Sequence, residues 1–84
     1  MLKLKIVTPE RIAFDGEVSS VLVPGTMGQF EILNNHAPII STLGKGIVEY
    51  ITSEGRQQIN VSGGFVSVQH NEVSLGVEVD EATE

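Results

Sequence analysis

An all-β fold, a sandwich or a barrel, is predicted by three observations. Turn signals recur at Asp15-Gly16, Pro24-Gly25, Asn34-Asn35, Gly44-Lys45-Gly46, Glu54-Gly55, Gly63-Gly64 and His70-Asn71, the spacing of roughly 8 to 12 residues that short strands give. Between them apolar residues alternate at period two, which sends successive side chains to opposite faces of a strand. Helix signals are nearly absent.

The elements follow in chain order. Leu2, Leu4 and Ile6 alternate with Lys3, Lys5 and Val7, a first strand with one aliphatic face, expected near a sheet edge. Thr8-Pro9 interrupts it, because proline has no amide to donate to a ladder. Asp15-Gly16, between Phe14 and Glu17, predicts a two-residue hairpin turn leading into a strand through Val23. Residues 24 to 38 then join two hydrophobic strand candidates. Pro24-Gly25 is a turn signal, Gly28 permits a bend, and Asn34-Asn35 tolerate positive φ before His36-Ala37-Pro38. Phe30 is expected to pack inward with Ile32, leaving Met27 at the exposed bend.

Ile47 to Ile51 and Gln57 to Val61 form the arms of a longer hairpin around Ser53-Glu54-Gly55-Arg56, with Tyr50 and Ile59 in or near the core. Gly63-Gly64 predicts a bulge or a close backbone approach before Phe65, Val66 and Val68. Val73, Leu75, Val77 and Val79 alternate with Glu72, Ser74, Gly76, Glu78 and Asp80, a last strand with one hydrated face. Asp80 to Glu84 is expected to fray.

Eighty-four residues make one domain, residues 1–84, burying only about 60% of the surface its unfolded chain exposes. The absence of Cys excludes disulfides and thiolate chemistry, and two isolated His residues argue against a structural zinc site. The net charge of −6 opposes nonspecific attraction to nucleic acid or anionic lipid and favours a basic partner. No apolar run approaches the roughly 20 residues that span a bilayer, and Met1 to Val7 lacks a signal-peptide core. A soluble, intracellular chain is expected.

Candidate chemistry is sparse. Ser41, Ser62 or Ser67 could be paired on paper with His36 and Asp15, yet nothing resembles a nucleophile elbow. The glycines around Thr26 and Lys45 miss the spacing and setting of a phosphate loop. His36 has two readings, a ring that closes the turn before Pro38 or a hydrogen-bonding group shown to a partner. Lys45 between Gly44 and Gly46 raises an alternative, a lipoyl- or biotinyl-type carrier domain with its modifiable lysine at a hairpin tip. The flanking residues lack the acidic or methionine neighbourhood of such carriers. No catalytic residue, cofactor or metal is therefore expected.

Four segments in order resemble the N-terminal domain of the ε subunit of bacterial F-type ATP synthases. They are Val7-Thr8-Pro9-Glu10 with Phe14-Asp15-Gly16, then Pro24 to Leu33, then Asn35-His36-Ala37-Pro38, then Val61-Ser62-Gly63-Gly64-Phe65. The resemblance implies a two-sheet β-sandwich of about ten short strands. It also implies a non-catalytic central-stalk, or rotor, subunit that joins γ to the membrane c-ring and couples ion-driven rotation to ATP synthesis. By the same resemblance Thr26, Met27, Gly28, Gln29, Phe30 and Glu31 face the c-ring, and Thr8, His36 and Ser41 lie on or near the γ side. The implied location is the cytoplasmic face of the bacterial inner membrane, peripheral, with membrane association only through the complex.

Two departures bear on these expectations. The family usually has an acidic residue where Gln29 stands and often a glycine where Glu31 stands, so the loop's negative charge is displaced by two residues. Period two keeps Gln29 and Glu31 on one strand face. Many ε subunits also continue into a C-terminal helical hairpin that restrains rotation or binds ATP. This sequence stops soon after Val79, so no such hairpin is expected and neither activity is carried over.

Overall fold

The computed structural model describes residues 1–79, and among them it contains eight β-strands and no helix. The strands are β1 (Leu2–Val7), β2 (Ile12–Val18), β3 (Ser20–Gly25), β4 (Gly28–Leu33), β5 (Ile39–Leu43), β6 (Gly46–Thr52), β7 (Gly55–Gln69) and β8 (Glu72–Val79). The all-β expectation holds, with eight strands in place of about ten. The difference lies largely in β7, which runs unbroken for 15 residues through Gly63-Gly64. The expected fraying of Asp80 to Glu84 lies outside the described residues.

Hydrogen bonding links all eight strands into one network that folds into two layers. The first layer is β2-β1-β8 followed by the second half of β7 and then β5. The second is β4-β3-β6 followed by the first half of β7, where Gly55 to Val61 pair with β6. Every pairing is antiparallel except β1 with β8, which is parallel. β7 can serve both layers because its register shifts between Val61 and Gly63, the extra residue of a bulge turning the strand. Gly64 completes the bend at φ 148°, and a Cβ there would collide with the carbonyl oxygen of Gly76. Only glycine meets both demands.

Period-two alternation places the core. Leu2, Leu4, Ile6, Val18, Val21, Val23, Ile32, Val48, Val61, Val66, Val68, Val73, Leu75 and Val77 are buried, while Lys3, Lys5, Glu72 and Ser74 on the opposite faces are exposed. Tyr50 is buried and Ile59 packs against the same cluster, as expected. Phe14 on β2 and Tyr50 on β6 meet across the layers with ring centroids 4.7 Å apart and planes inclined at 48°, a geometry aromatic pairs favour.

Two predicted turns prove to lie inside strands. Asp15-Gly16 falls within β2, opposite Lys5 and Leu4, and the reversal between β1 and β2 is made by residues 8–11. Pro24-Gly25 is the end of β3, opposite Gln29 and Gly28, so the turn shifts to Thr26-Met27. In both pairs the glycine makes room for a ring. A Cβ on Gly25 would sit 2.9 Å from the Phe30 ring and one on Gly16 3.1 Å from the Phe14 ring. The turns at Asn34-Asn35 and His70-Asn71 are where the sequence puts them, and the one expected at Glu54-Gly55 falls one residue earlier, at Ser53-Glu54, with Gly55 opening β7.

Candidate functional site

The β3–β4 hairpin displays the six residues from Thr26 to Glu31 together. Gly25 pairs with Gly28 around the two-residue turn Thr26-Met27, and Gly28 takes φ 131°, a value that a side chain would oppose. The tip is braced from β5. The Thr26 amide donates to the Thr42 carbonyl at 3.1 Å, the Gly44 amide donates to the Pro24 carbonyl at 2.8 Å, and the Thr26 and Thr42 hydroxyls share a bond of 2.9 Å. Met27 projects beyond the brace with 99% of its surface exposed.

β4 ends the strand order, and among the described residues it pairs with β3 alone. Gln29 and Glu31 are exposed on its outer side, whereas Phe30 is half-buried against the core and Ile32 fully buried. The alternation predicted for this segment is thus present. Glu31 stands opposite Leu22, so among the described residues no cation faces it directly across the ladder.

His36 lies at the far end of β4. Its amide donates to the Leu33 carbonyl at 3.1 Å, which closes the turn after the strand. Its Nδ1 lies 2.8 Å from the Ala37 carbonyl oxygen, and because a carbonyl only accepts, the proton sits on Nδ1 and leaves Nε2 for another group. The ring is half-buried. Both readings of His36 therefore have a structural counterpart, turn closure through one nitrogen and presentation of the other.

Thr8 and Ser41 are less displayed. Thr8 is buried, and its hydroxyl donates to the Arg11 carbonyl at 3.0 Å while accepting from the Arg11 amide at 3.2 Å. It holds the β1–β2 reversal. Ser41 pairs with buried Val66 and donates to the Thr42 carbonyl at 3.2 Å, so it shares the inward side of β5. Thr8, His36 and Ser41 do not converge. Asn71 binds the amide of Lys3 at the His36 end of β1, and Thr8 is five residues further along, about 17 Å at strand rise.

What is displayed around them is apolar. Val7, Gly76, Phe65 and Thr42 form one row across β1, β8, β7 and β5, with Ile12 opposite Val7. Phe65 is 51% exposed with its ring laid over Gly76, and Ile40, on the same face of β5, is 80% exposed. These residues were missed from sequence. Ile39-Ile40 and Phe65-Val66 are adjacent apolar pairs, and period two alone does not say which member faces out.

Among the described residues the candidate Ser, His and Asp side chains are not brought together. Asp15 and Ser67 stand in one cross-strand row, Asp15-Lys5-Ser74-Ser67, three strand spacings or about 14 Å apart. Ser41 lies one strand further. No group of three His, Cys, Asp or Glu suited to a metal ion occurs among the described residues. An open cleft at the edge of β2, lined by Phe14, Asp15, Glu17, Tyr50, Glu54 and Gln57, holds Asp15 but neither His36 nor any of the candidate serines. Burial raises the Tyr50 hydroxyl above its usual pKa. No helix of the described residues is long and apolar enough to cross a membrane.

The described residues thus form a β-sandwich that displays hairpin tips, an edge strand and an apolar sheet face. The profile of the family described as "ATP synthase, Delta/Epsilon chain, beta-sandwich domain" matches residues 1–83. The chain belongs to that family. It is 46% identical over 74 residues, 88% of its length, to the ATP synthase epsilon chain of Leptospira interrogans, and 40% identical over 81 residues to that of Gloeothece citriformis. It spans 58% and 59% of those relatives' lengths.

Solved structures agree in fold. A chain of the Euglena gracilis mitochondrial ATP synthase superposes with a TM-score of 0.84 at 23% identity, covering 90% of this chain and 49% of that one. A chain of the Tetrahymena thermophila mitochondrial ATP synthase central stalk and c-ring gives 0.76 at 19% identity, covering 92% and 63%. Lys45 is exposed at the β5–β6 connection, where a carrier lysine would stand. The family match takes in that connection as part of an ATP synthase domain.

Proposed function

We propose that this chain is a non-catalytic central-stalk subunit of an F-type ATP synthase, linking γ to the c-ring and coupling ion-driven rotation to ATP synthesis. The observation that carries the reading, beside family membership, is one continuous body with two separate displayed surfaces. The first is the β3–β4 hairpin with Met27, Gln29 and Glu31, an acidic edge with an exposed tip suited to polar ring loops. The second is the outer face of the first layer, where Val7, Ile40 and Phe65 form an apolar patch between Thr8 and the His36 segment. That patch suits γ, since a stable interface places apolar side chains at its centre and polar groups around them.

In this role Thr26, Phe30 and Gly28 shape the ring-facing hairpin, and Met27, Gln29 and Glu31 touch the ring. Thr8 and Ser41 set the ends and backbone of the γ-facing sheet, and His36 offers Nε2 at its margin. The chain has no catalytic group of its own and works on the cytoplasmic side of the membrane through the complex. Affinity isolation of the chain from native membranes tests this directly. The expected result is recovery with both γ and the c-ring. Recovery with neither, or a lipoyl or biotinyl mass adduct on Lys45, would overturn it.

A further inference from the structure

The β7–β8 turn is built with an unexpected residue. His70 and Asn71 both take positive φ, 52° and 61°, and they are flanked by the paired residues Gln69 and Glu72, the geometry of a two-residue type I′ hairpin. Glycine is strongly preferred at the second position of such a turn because it enters the left-handed region at no steric cost. Asparagine there has to gain something through its side chain.

The gain is a bond to another part of the chain. Asn71 Oδ1 accepts from the Asn35 amide at 2.6 Å, and Asn71 Nδ2 reaches Asn35 Oδ1 at 3.4 Å, across 36 positions of sequence. The Asn71 carbonyl also accepts from the Lys3 amide at 2.9 Å. One residue thus ties the β7–β8 turn to the start of β1 and to the segment that carries His36. That segment, residues 34–38, has no strand pairing of its own. Among the described residues its other hydrogen bonds are local, from the His36 amide to the Leu33 carbonyl and from the His36 ring to the Ala37 carbonyl.

We propose that Asn71 is the positioning residue that holds residues 34–38 in the conformation γ binds. This rests on the γ-facing reading of His36 given above. Asn71 touches no partner itself. It acts by fixing Asn35 and therefore the direction in which His36-Ala37-Pro38 leaves β4, so that the ordering cost is met before the partner arrives.

Three variants, each measured both as the free chain and in binding to the γ subunit, test it. Asn71→Gly keeps the positive φ and removes the acceptor; Asn71→Asp keeps an acceptor oxygen; His36→Ala tests the reading on which the proposal rests. Amide exchange of Asn35 in the free chain and the dissociation constant for γ are the two readouts. Asn71→Gly is expected to speed Asn35 exchange at least tenfold and weaken γ binding about tenfold, with the thermal midpoint held within a few degrees, while Asn71→Asp stays within about threefold of the parent chain. If Asn35 remains protected in Asn71→Gly, or γ affinity is unchanged, or Asn71→Asp is as weak as Asn71→Gly, the proposal is overturned. His36→Ala with unchanged γ affinity overturns the direct role of His36 alone, because a drop in Asn71→Gly would then show that the rest of the segment makes the contact.

Discussion

The β3–β4 tip and the segment at residues 34–38 sit at opposite ends of β4 and are held by different means. The tip is a two-residue turn between paired strands, and its ladder fixes its shape, with the Thr26–Thr42 hydroxyl bond as an addition on an exposed surface. The segment before Pro38 has no ladder and depends on a side chain from a distant turn. Regular backbone pairing positions a contact surface locally. An irregular connection must borrow its position from elsewhere.

The largest effect should come from a change that harms both regions at once. Gly64→Val puts a β-branched side chain at φ 148° and against Gly76, and is expected to destabilise the fold by about 4 kcal/mol or more. Denaturant unfolding reads this, and a loss under about 1 kcal/mol would mean that the bend in β7 is adaptable. Next is Glu31→Lys, which should weaken ring association or coupling about fivefold, far more than Glu54→Lys at the distant β6–β7 turn. Equal effects in a reconstituted coupling assay would remove Glu31 from the contact surface.

Thr42→Val separates the two modes of support. It deletes the hydroxyl partner of Thr26 but leaves the backbone bond, so a stability change of only about 0.5 kcal/mol is expected, with little change in Met27 side-chain mobility by NMR relaxation. A marked loosening of the tip would break the distinction drawn above. The smallest effect at neutral pH belongs to Tyr50→Phe, remote from both surfaces. Burial raises the Tyr50 pKa above 10.0, so the unfolded chain loses this proton first and the fold loses stability as pH rises past about 10. The phenylalanine variant should lack that share of the alkaline loss in thermal melts taken at successive pH values.

How much of this was legible depends on what each residue is for. Leu2, Leu4 and Ile6, and Val73, Leu75 and Val77, announce their strands because each has one wet and one dry face. His70-Asn71 announces a turn because its backbone needs positive φ. Asp15-Gly16 and Pro24-Gly25 mislead because glycine answers two needs, backbone freedom and room for a neighbouring ring, and sequence shows only that glycine is present. Here the rings of Phe14 and Phe30 take the room. Of the candidate contacts, the hairpin from Thr26 to Glu31 is displayed as its pattern suggests. Thr8 and Ser41 turn out to spend their hydroxyls on backbone carbonyls, and the exposed Ile40 and Phe65 beside them depend on which way each strand faces. The Asn35–Asn71 bond joins two loops far apart in sequence, and only the folded register brings them together.

The long shared strand has one more consequence. In many sandwiches the two layers touch only through interlocking side chains, and a twisting load can make one slide over the other. Here β7 passes from layer to layer as a single covalent chain of 15 residues. A pull on β6 reaches β8 and β1 through backbone and ladder, and neither layer can peel away without tearing the other's bonds. The domain should therefore yield as one piece, with no slip plane in the middle.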